Sequence, residues 1–208
     1  MSTIKSSAEN LTLNADGANN DIIFQSNGSN VATLDQAGLL TATTFAGSGA
    51  SLTGITTGKV LQVVSVEKSD TFTTTSTSFV DITGLSVSIT PSATTSKILV
   101  LMDVSVGNTG NTYTANVRLM RGATAISIGD SAGSRSQSTG NTVTSTYIIS
   151  SIASNPLDSP STTSATTYKI QARAEAASTT TINRSGIDND NSYTARTTSH
   201  ITLMEIGA

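Results

Sequence analysis

Lys97-Ile98-Leu99-Val100-Leu101-Met102-Asp103-Val104-Ser105-Val106 has the period of an extended strand. Ile98, Val100, Met102, Val104 and Val106 fall at every second position, and side chains of a β-strand alternate between two faces. The interleaved positions, Lys97, Leu99, Leu101 and Asp103, mix apolar and charged groups, so the opposite face is expected to be partly covered too. Upstream, Leu85, Val87 and Ile89 alternate with Ser86, Ser88 and Thr90. Downstream, Tyr113, Ala115, Val117 and Leu119 continue the pattern, and Arg121-Gly122-Ala123-Thr124 reads as a hairpin turn into Ile126 and Ile128. Val143 to Ile152 reads as a further strand. Tyr168, Ile170, Ala172 and Ala174 lie opposite Lys169, Gln171, Arg173 and Glu175, and Ile201 to Ile206 closes the series. Helix signals are nearly missing: Leu34 to Phe45 is broken by Gly38, is rich in Thr, and reads as strand and turn. The expectation is an all-β chain whose residues 59–208 form an antiparallel β-sandwich or jelly-roll-like head.

Composition supports β-structure and excludes several functions. The 208 residues suit one or two domains. Charged residues are 12% of the chain, against ~25% in ordinary globular domains, and aromatics are 4% with no Trp. Ser and Thr together make up roughly a third. Thr and Val suit pleated surfaces, so the composition predicts long, thin β-structure with little interior. A net charge of -3 leaves no basic face to neutralise a phosphate backbone, so no nucleic-acid partner is expected. No apolar run approaches the ~20 residues of a membrane span, so no membrane insertion is expected. Met1 to Ser7 has no apolar core of a secretory signal. Cysteine is absent, so hydrogen-bonded sheet and contacts between subunits must supply the stability.

Residues 1–58 differ from the rest. Leu11 and Leu13, Ile22 to Phe24, and Val31 and Leu34 are short apolar clusters separated by Asn14-Ala15-Asp16-Gly17, Ser26-Asn27-Gly28 and Gln36-Ala37-Gly38. Asn-Gly and Asp-Gly steps adopt positive φ cheaply and mark tight turns. Such short strands carry too few apolar side chains to bury both faces, and association with identical copies is the simplest remedy. Phe45 to Ile55 is nearly all small residues between Phe45, Leu52 and Ile55. It reads either as a flexible Gly/Ser linker or as a tightly wound symmetric neck, and the regular anchors favour the neck.

Two stretches carry a resemblance. Leu11-Thr12-Leu13, Ala32-Thr33-Leu34-Asp35, Gly38 to Thr43 and Phe45 to Ile55 resemble the shaft and neck repeats of bacteriophage tail fibres. Phe79 to Leu85, Ile89-Thr90-Pro91, Ser96 to Val100, Arg118 to Gly122, Ile182 to Ser185 and Ile201 to Ile206 resemble the β-rich head that follows such shafts. The resemblance implies a virion structural protein, assembled in the host cytoplasm. It implies a homotrimer with an intertwined β shaft over 1–58 and a head over 59–208. The N-terminus would attach to other virion proteins of the tail, baseplate or capsid, and the head would meet a host cell-surface glycan or protein. Fibres of this kind usually have a long N-terminal attachment domain, whereas here the repeats begin about ten residues in. A short distal or accessory fibre, or a capsid head fibre or decoration protein docked by a brief peptide, fits that difference. A fibre-borne polysaccharide depolymerase is the enzymatic alternative.

Chemistry beyond assembly is sparse. A Cys nucleophile is impossible, and His200, the only histidine, would have to serve any Ser/His/Asp triad. Its place in the terminal strand with Thr202, Met204 and Ile206 favours a structural role. Asp188-Asn189-Asp190-Asn191-Ser192 is rich in oxygen ligands, but Tyr193 and Ser199 stand where a calcium loop of the EF-hand type needs Gly and Glu. No catalytic residue, metal site or cofactor is therefore expected. Gly129 to Asn141, Ser154 to Thr166 and Arg184 to Thr198 read as long polar loops, and loops of that length on a rigid scaffold are where binding concentrates. Tyr193 is the one tyrosine expected in such a loop. With Arg184, Asp188, Asp190, Asn191 and Arg196 around it, it is the candidate receptor-binding site, against the alternative of an ordinary solvated loop.

Overall fold

A computed structural model of the chain describes residues 21–35, 37–42, 59–110, 113–143, 145–175 and 177–207. The turn expected at 14–17 and the neck or linker at 45–55 lie outside them. The chain divides into two compact units, Met1–Ile55 and Thr56–Ala208. Among the described residues it is all-β, without helix, built from several antiparallel sheets that include a curled half-barrel.

The first unit contributes an antiparallel sheet in the order β1 (Ile22–Ser26), β2 (Ser29–Leu34) and β3 (Leu40–Ala42). Asn27 and Gly28 join β1 to β2 with φ of 50° and 79°. Positive φ at both central residues gives the turn whose twist matches the flanking strands. The second turn is held by the Asp35 side chain, which accepts from the Leu39 N–H at 2.8 Å. Ile23, Phe24, Val31, Leu39 and Leu40 all remain exposed on this unit.

The second unit holds the long strands. Its strands are β4 (Val60–Lys68), β5 (Phe72–Thr74), β6 (Val80–Ile89), β7 (Lys97–Asn108), β8 (Thr114–Arg121), β9 (Thr124–Ile126), β10 (Gly140–Val143), β11 (Ser150–Ser154), β12 (Leu157–Asp158), β13 (Thr166–Arg173), β14 (Thr180–Ile182) and β15 (Ser199–Ile206). Sheet I runs β4-β15-β7-β14-β5, with β11 and β12 also on β7. Sheet II runs β10-β8-β13-β6, with β9 on β8. The strand β7 is the spine of sheet I. Asp103 pairs with His200 of β15 and also with Ala153 of β11, so those two strands occupy opposite edges. By the same register, β14 follows β15 along one edge while β12 and β11 share the other.

One core joins the two sheets. Sheet I gives Ile98, Val100, Met102, Val104, Val106, Ile201 and Leu203, and sheet II gives Ile82, Leu85, Val117, Leu119, Tyr168 and Ile170. All of them are buried. The alternation read from Lys97 to Val106 is therefore the inward face of β7. The expected thin interior does not hold for this unit: Ile, Leu and Met side chains together with Tyr168 come inward from the two sheets, and the core is continuous. In β6 the alternation slips. Ile82 and Leu85 are both buried although three residues apart, because Gly84 at φ 88° forms a bulge against β13. Val143 to Ile152 is not one strand. β10 ends at Val143, a turn follows, and β11 begins at Ser150.

Two buried polar groups of the unit are well matched. Glu205 is fully buried, accepting from Gln62 Nε2 at 2.6 Å, the Ser92 N–H at 2.7 Å and the Ser92 hydroxyl at 2.6 Å. Burial would raise its pKa, but these donors win and hold the carboxyl down at about 2. Tyr168 donates its hydroxyl to Asp158 at 2.6 Å, and Arg121 closes on both oxygens of that carboxylate at 2.8 Å. Burial, with the Asp158 charge beside it, keeps the Tyr168 hydroxyl protonated far above its ordinary range.

Candidate functional site

The loop between β14 and β15 carries all six residues that the sequence points to, and its base is tightly closed. Asn183, fully buried at φ 62°, donates to the carbonyls of Lys68 at 2.7 Å and Asp70 at 2.9 Å. Asparagine adopts positive φ more readily than most residues. Ser199 donates to Asn183 Oδ1 at 2.5 Å and accepts from the Ser105 N–H at 2.9 Å. Gly186 allows the loop to lie against the end of β7, where a Cβ would stand 2.1 Å from the Asn108 carbonyl oxygen. Gly107 meets the loop from the other side, its hypothetical Cβ 2.5 Å from the Arg184 carbonyl oxygen.

Above this base Arg184 and Arg196 form an isolated antiparallel bridge. Asp188 is held between their guanidiniums, 2.6 Å from Arg196 Nη2 and 3.8 Å from Arg184 Nε. Arg184 also donates to the carbonyls of Ser185 at 2.9 Å and Gly186 at 3.2 Å. The Thr194 hydroxyl is within hydrogen-bonding distance of the Asn189 and Asn191 carbonyls, at 2.6 and 2.9 Å, and so folds the tip into a turn. The result is an open depression of about 340 Å³ lined by Asp188, Asn189, Asp190, Asn191, Thr194, Ala195 and Arg196. Three of the six residues, Arg184, Asp188 and Arg196, are therefore committed to one another and shape the loop. Asp190 and Asn191 face solvent at the depression.

Tyr193 stands outside the lining of the depression, 61% exposed, and packs edge-on against Tyr147 with ring centroids 5.3 Å apart. Tyr147 is the residue that sequence reasoning misplaced. The sequence pattern puts it in a strand, but it lies in the turn between β10 and β11, 45% exposed. That turn docks on the loop through the Ile187 N–H, which donates to the Thr146 carbonyl at 2.9 Å. No local signal joins two tyrosines 46 positions apart; only the fold does. The other two tyrosines are placed differently: Tyr168 is core, and Tyr113 packs beside Gly110.

His200 is exposed on the outer face of sheet I, opposite Glu67 of β4 and Asp103 of β7. Among the described residues no group of His, Asp or Glu has the geometry to hold a metal ion. The loop offers an aromatic edge, hydroxyls, amides and one unpaired carboxylate, a set suited to binding polar, hydroxyl-rich surfaces. No protein-family model matches the chain, and no curated protein matches it.

Proposed function

We propose that this chain is the subunit of a trimeric virion fibre of the bacteriophage tail-fibre kind. In this reading residues 1–58 form a short intertwined shaft that docks on the particle, and residues 59–208 form a sandwich or jelly-roll head that attaches to a host surface. One observation carries the reading. The outer face of sheet I bears an apolar row in register across four strands: Val63 opposite Met204, Met204 opposite Leu99, and Leu99 opposite Leu157. Val63 and Leu157 are each more than half exposed, at 52% and 53%. Apolar rows of this kind mark association surfaces.

The magnitudes are adequate. Full withdrawal of such a side chain from water is worth about 1.5–3 kcal/mol; Val63 and Leu157 are half withdrawn already, and Leu99 and Met204 more than half. Four from each side of a contact reach the lower part of the roughly 4–15 kcal/mol that association costs. The exposed Ile23, Phe24, Val31 and Leu40 of the first unit add to that sum when copies also meet there. The attachment role rests on the loop at 184–198 with Tyr193 and Tyr147 at its surface, and three copies of a weak site gain avidity on a repeating target. Sedimentation equilibrium tests the reading: three times the 21.2 kDa chain mass is expected, and a monomer at micromolar concentration overturns it.

A further inference from the structure

Arg118 and Arg173 present a charge problem that the fold does not solve. They stand on neighbouring strands of sheet II, Arg118 directly opposite Gln171 and Arg173 two residues further along β13. Both point away from the core, since Val117, Leu119, Ile170 and Ala172 face inward. Both lie at the ring of Phe79, with their guanidinium carbons 4.1 and 6.0 Å from its centroid. Arg118 donates from Nε at 3.3 Å and from Nη2 at 2.8 Å to the one side-chain oxygen of Gln171. Arg173 donates from Nη1 to the hydroxyl of Ser136, and its Nε is buried without an acceptor.

The other half-buried arginines of this unit have a carboxylate: Arg121 has Asp158, and Arg184 has Asp188. Among the described residues neither Arg118 nor Arg173 makes an ion pair, although two like charges beside one ring repel each other. Neither Asp81 nor Glu175 forms an ion pair with either arginine. Asp81 is held by Lys169 at 2.8 Å and Gln171 at 2.7 Å, and Glu175 accepts from the Thr114 N–H at 3.2 Å. Burial lowers the proton affinity of Arg118 from its ordinary value, with nothing negative to offset it. Charges taken out of water are normally paired, the Arg173 Nε is fully out of water without an acceptor, and a pair of guanidiniums side by side matches the planar oxygens of a carboxylate or phosphate.

We propose that Arg118 and Arg173 together bind an oxyanion, a phosphate or carboxylate group, on the outer face of sheet II. The Nη1 of Arg118 and the Nη2 of Arg173 are the donors left for it, with Phe79 holding the first guanidinium in place and Ser136 the second. The site is separate from the loop at 184–198 and stands whether or not the fibre reading does. The same group is carried by free inorganic phosphate or by a phosphorylated or uronic sugar of a surface polymer.

Calorimetric titration of the full chain with inorganic phosphate, glucose 1-phosphate and glucuronate tests the site. Saturable binding is expected for at least one of them. Arg118→Gln and Arg173→Gln each weaken it by about tenfold or more, the value of a charge-assisted pair. Lys97→Gln, at an exposed cation on β7 of the other sheet, leaves it unchanged. Tighter binding of the sugar phosphate than of inorganic phosphate identifies a saccharide-borne group, and equal binding identifies the free ion. Should Arg173→Gln fail to fold, as read by circular dichroism, Arg118→Gln still decides. Absence of saturable binding by all three probes, or undiminished binding by the folded Arg118→Gln variant, overturns the proposal and leaves the two arginines as stacking groups only.

Discussion

The Ser199 hydroxyl donates to the Asn183 side-chain oxygen at 2.5 Å, and both residues are fully buried. This bond joins the end of β14 to the start of β15, so the loop between them begins and ends at one fixed point. Asn183→Ala leaves the Lys68 and Asp70 carbonyls without their donor and puts alanine at a φ of 62°. The expected cost is about 2–4 kcal/mol, the sum of an unsatisfied buried group and left-handed backbone. Asn183→Gly should recover the backbone part. Urea denaturation measures both, and an unchanged midpoint for Asn183→Ala would show that the base is held by something else.

Tyr193 and Tyr147 touch each other and are otherwise largely exposed. On the proposed fibre reading, replacing either by Ala should lower adsorption to host cells while changing stability by no more than about 0.5 kcal/mol, the usual range for surface sites. Adsorption equal to that of the parent protein, with the fold intact, removes this loop from the attachment surface.

Glu205 sets an acid limit. Its folded pKa of about 2 lies below the ordinary 4.5, so its contribution is complete above 4.5 and is lost as pH falls through about 2. Glu205→Gln should be less stable than the parent by about 1–3 kcal/mol near neutrality, because Gln62 and Ser92 lose a charged acceptor. The gap should narrow as the pH drops from 4.5 towards 2. Thermal melting of both proteins across that range is the check, and curves that stay parallel count against the assignment.

Met204→Lys places a charge in the middle of the outer apolar row, between Val63 and Leu99. It is expected to reduce the mass in solution to that of a single chain without loss of the β signature in circular dichroism. An oligomer that survives this change does not associate through the outer face of sheet I.

How far the sequence could be read depended on periodicity. Strands with one covered face, such as β7, β13 and β15, showed their pattern directly, because burial selects every second residue. The hairpin at Asn27-Gly28 and the turn at Gly122 were equally plain from turn chemistry. The phase slip at Gly84 was hidden, since a bulge keeps its residues apolar but shifts which of them face inward. The break after Val143 was hidden for a related reason: Val143, Tyr147, Ile148 and Ile152 look like one strand until the exposed turn between β10 and β11 is seen. In the candidate site the loop and its polar residues were legible. What was not legible was the division between side chains that build the loop and those that face outward, because Asp188 meets both Arg184 and Arg196 only after the chain folds back. Tyr147 and Asn183 were missed because each works through partners far away in sequence.

The pairing of β4 with β15 also determines how the second unit bears tension. The two strands run antiparallel from Val60 opposite Ile206 to Lys68 opposite Ser199. A pull entering at Val60 from the N-terminal side, resisted at the Ser199 end through a tethered loop, runs along both strands in opposite directions. The ladder is then sheared, and its hydrogen bonds must fail together instead of peeling one at a time. The opposite edge of β15 is locked to β7 over seven residue pairs, so β15 has no free side on which to yield. The arrangement is that of a mechanical clamp, stiffest along the β4–β15 ladder itself.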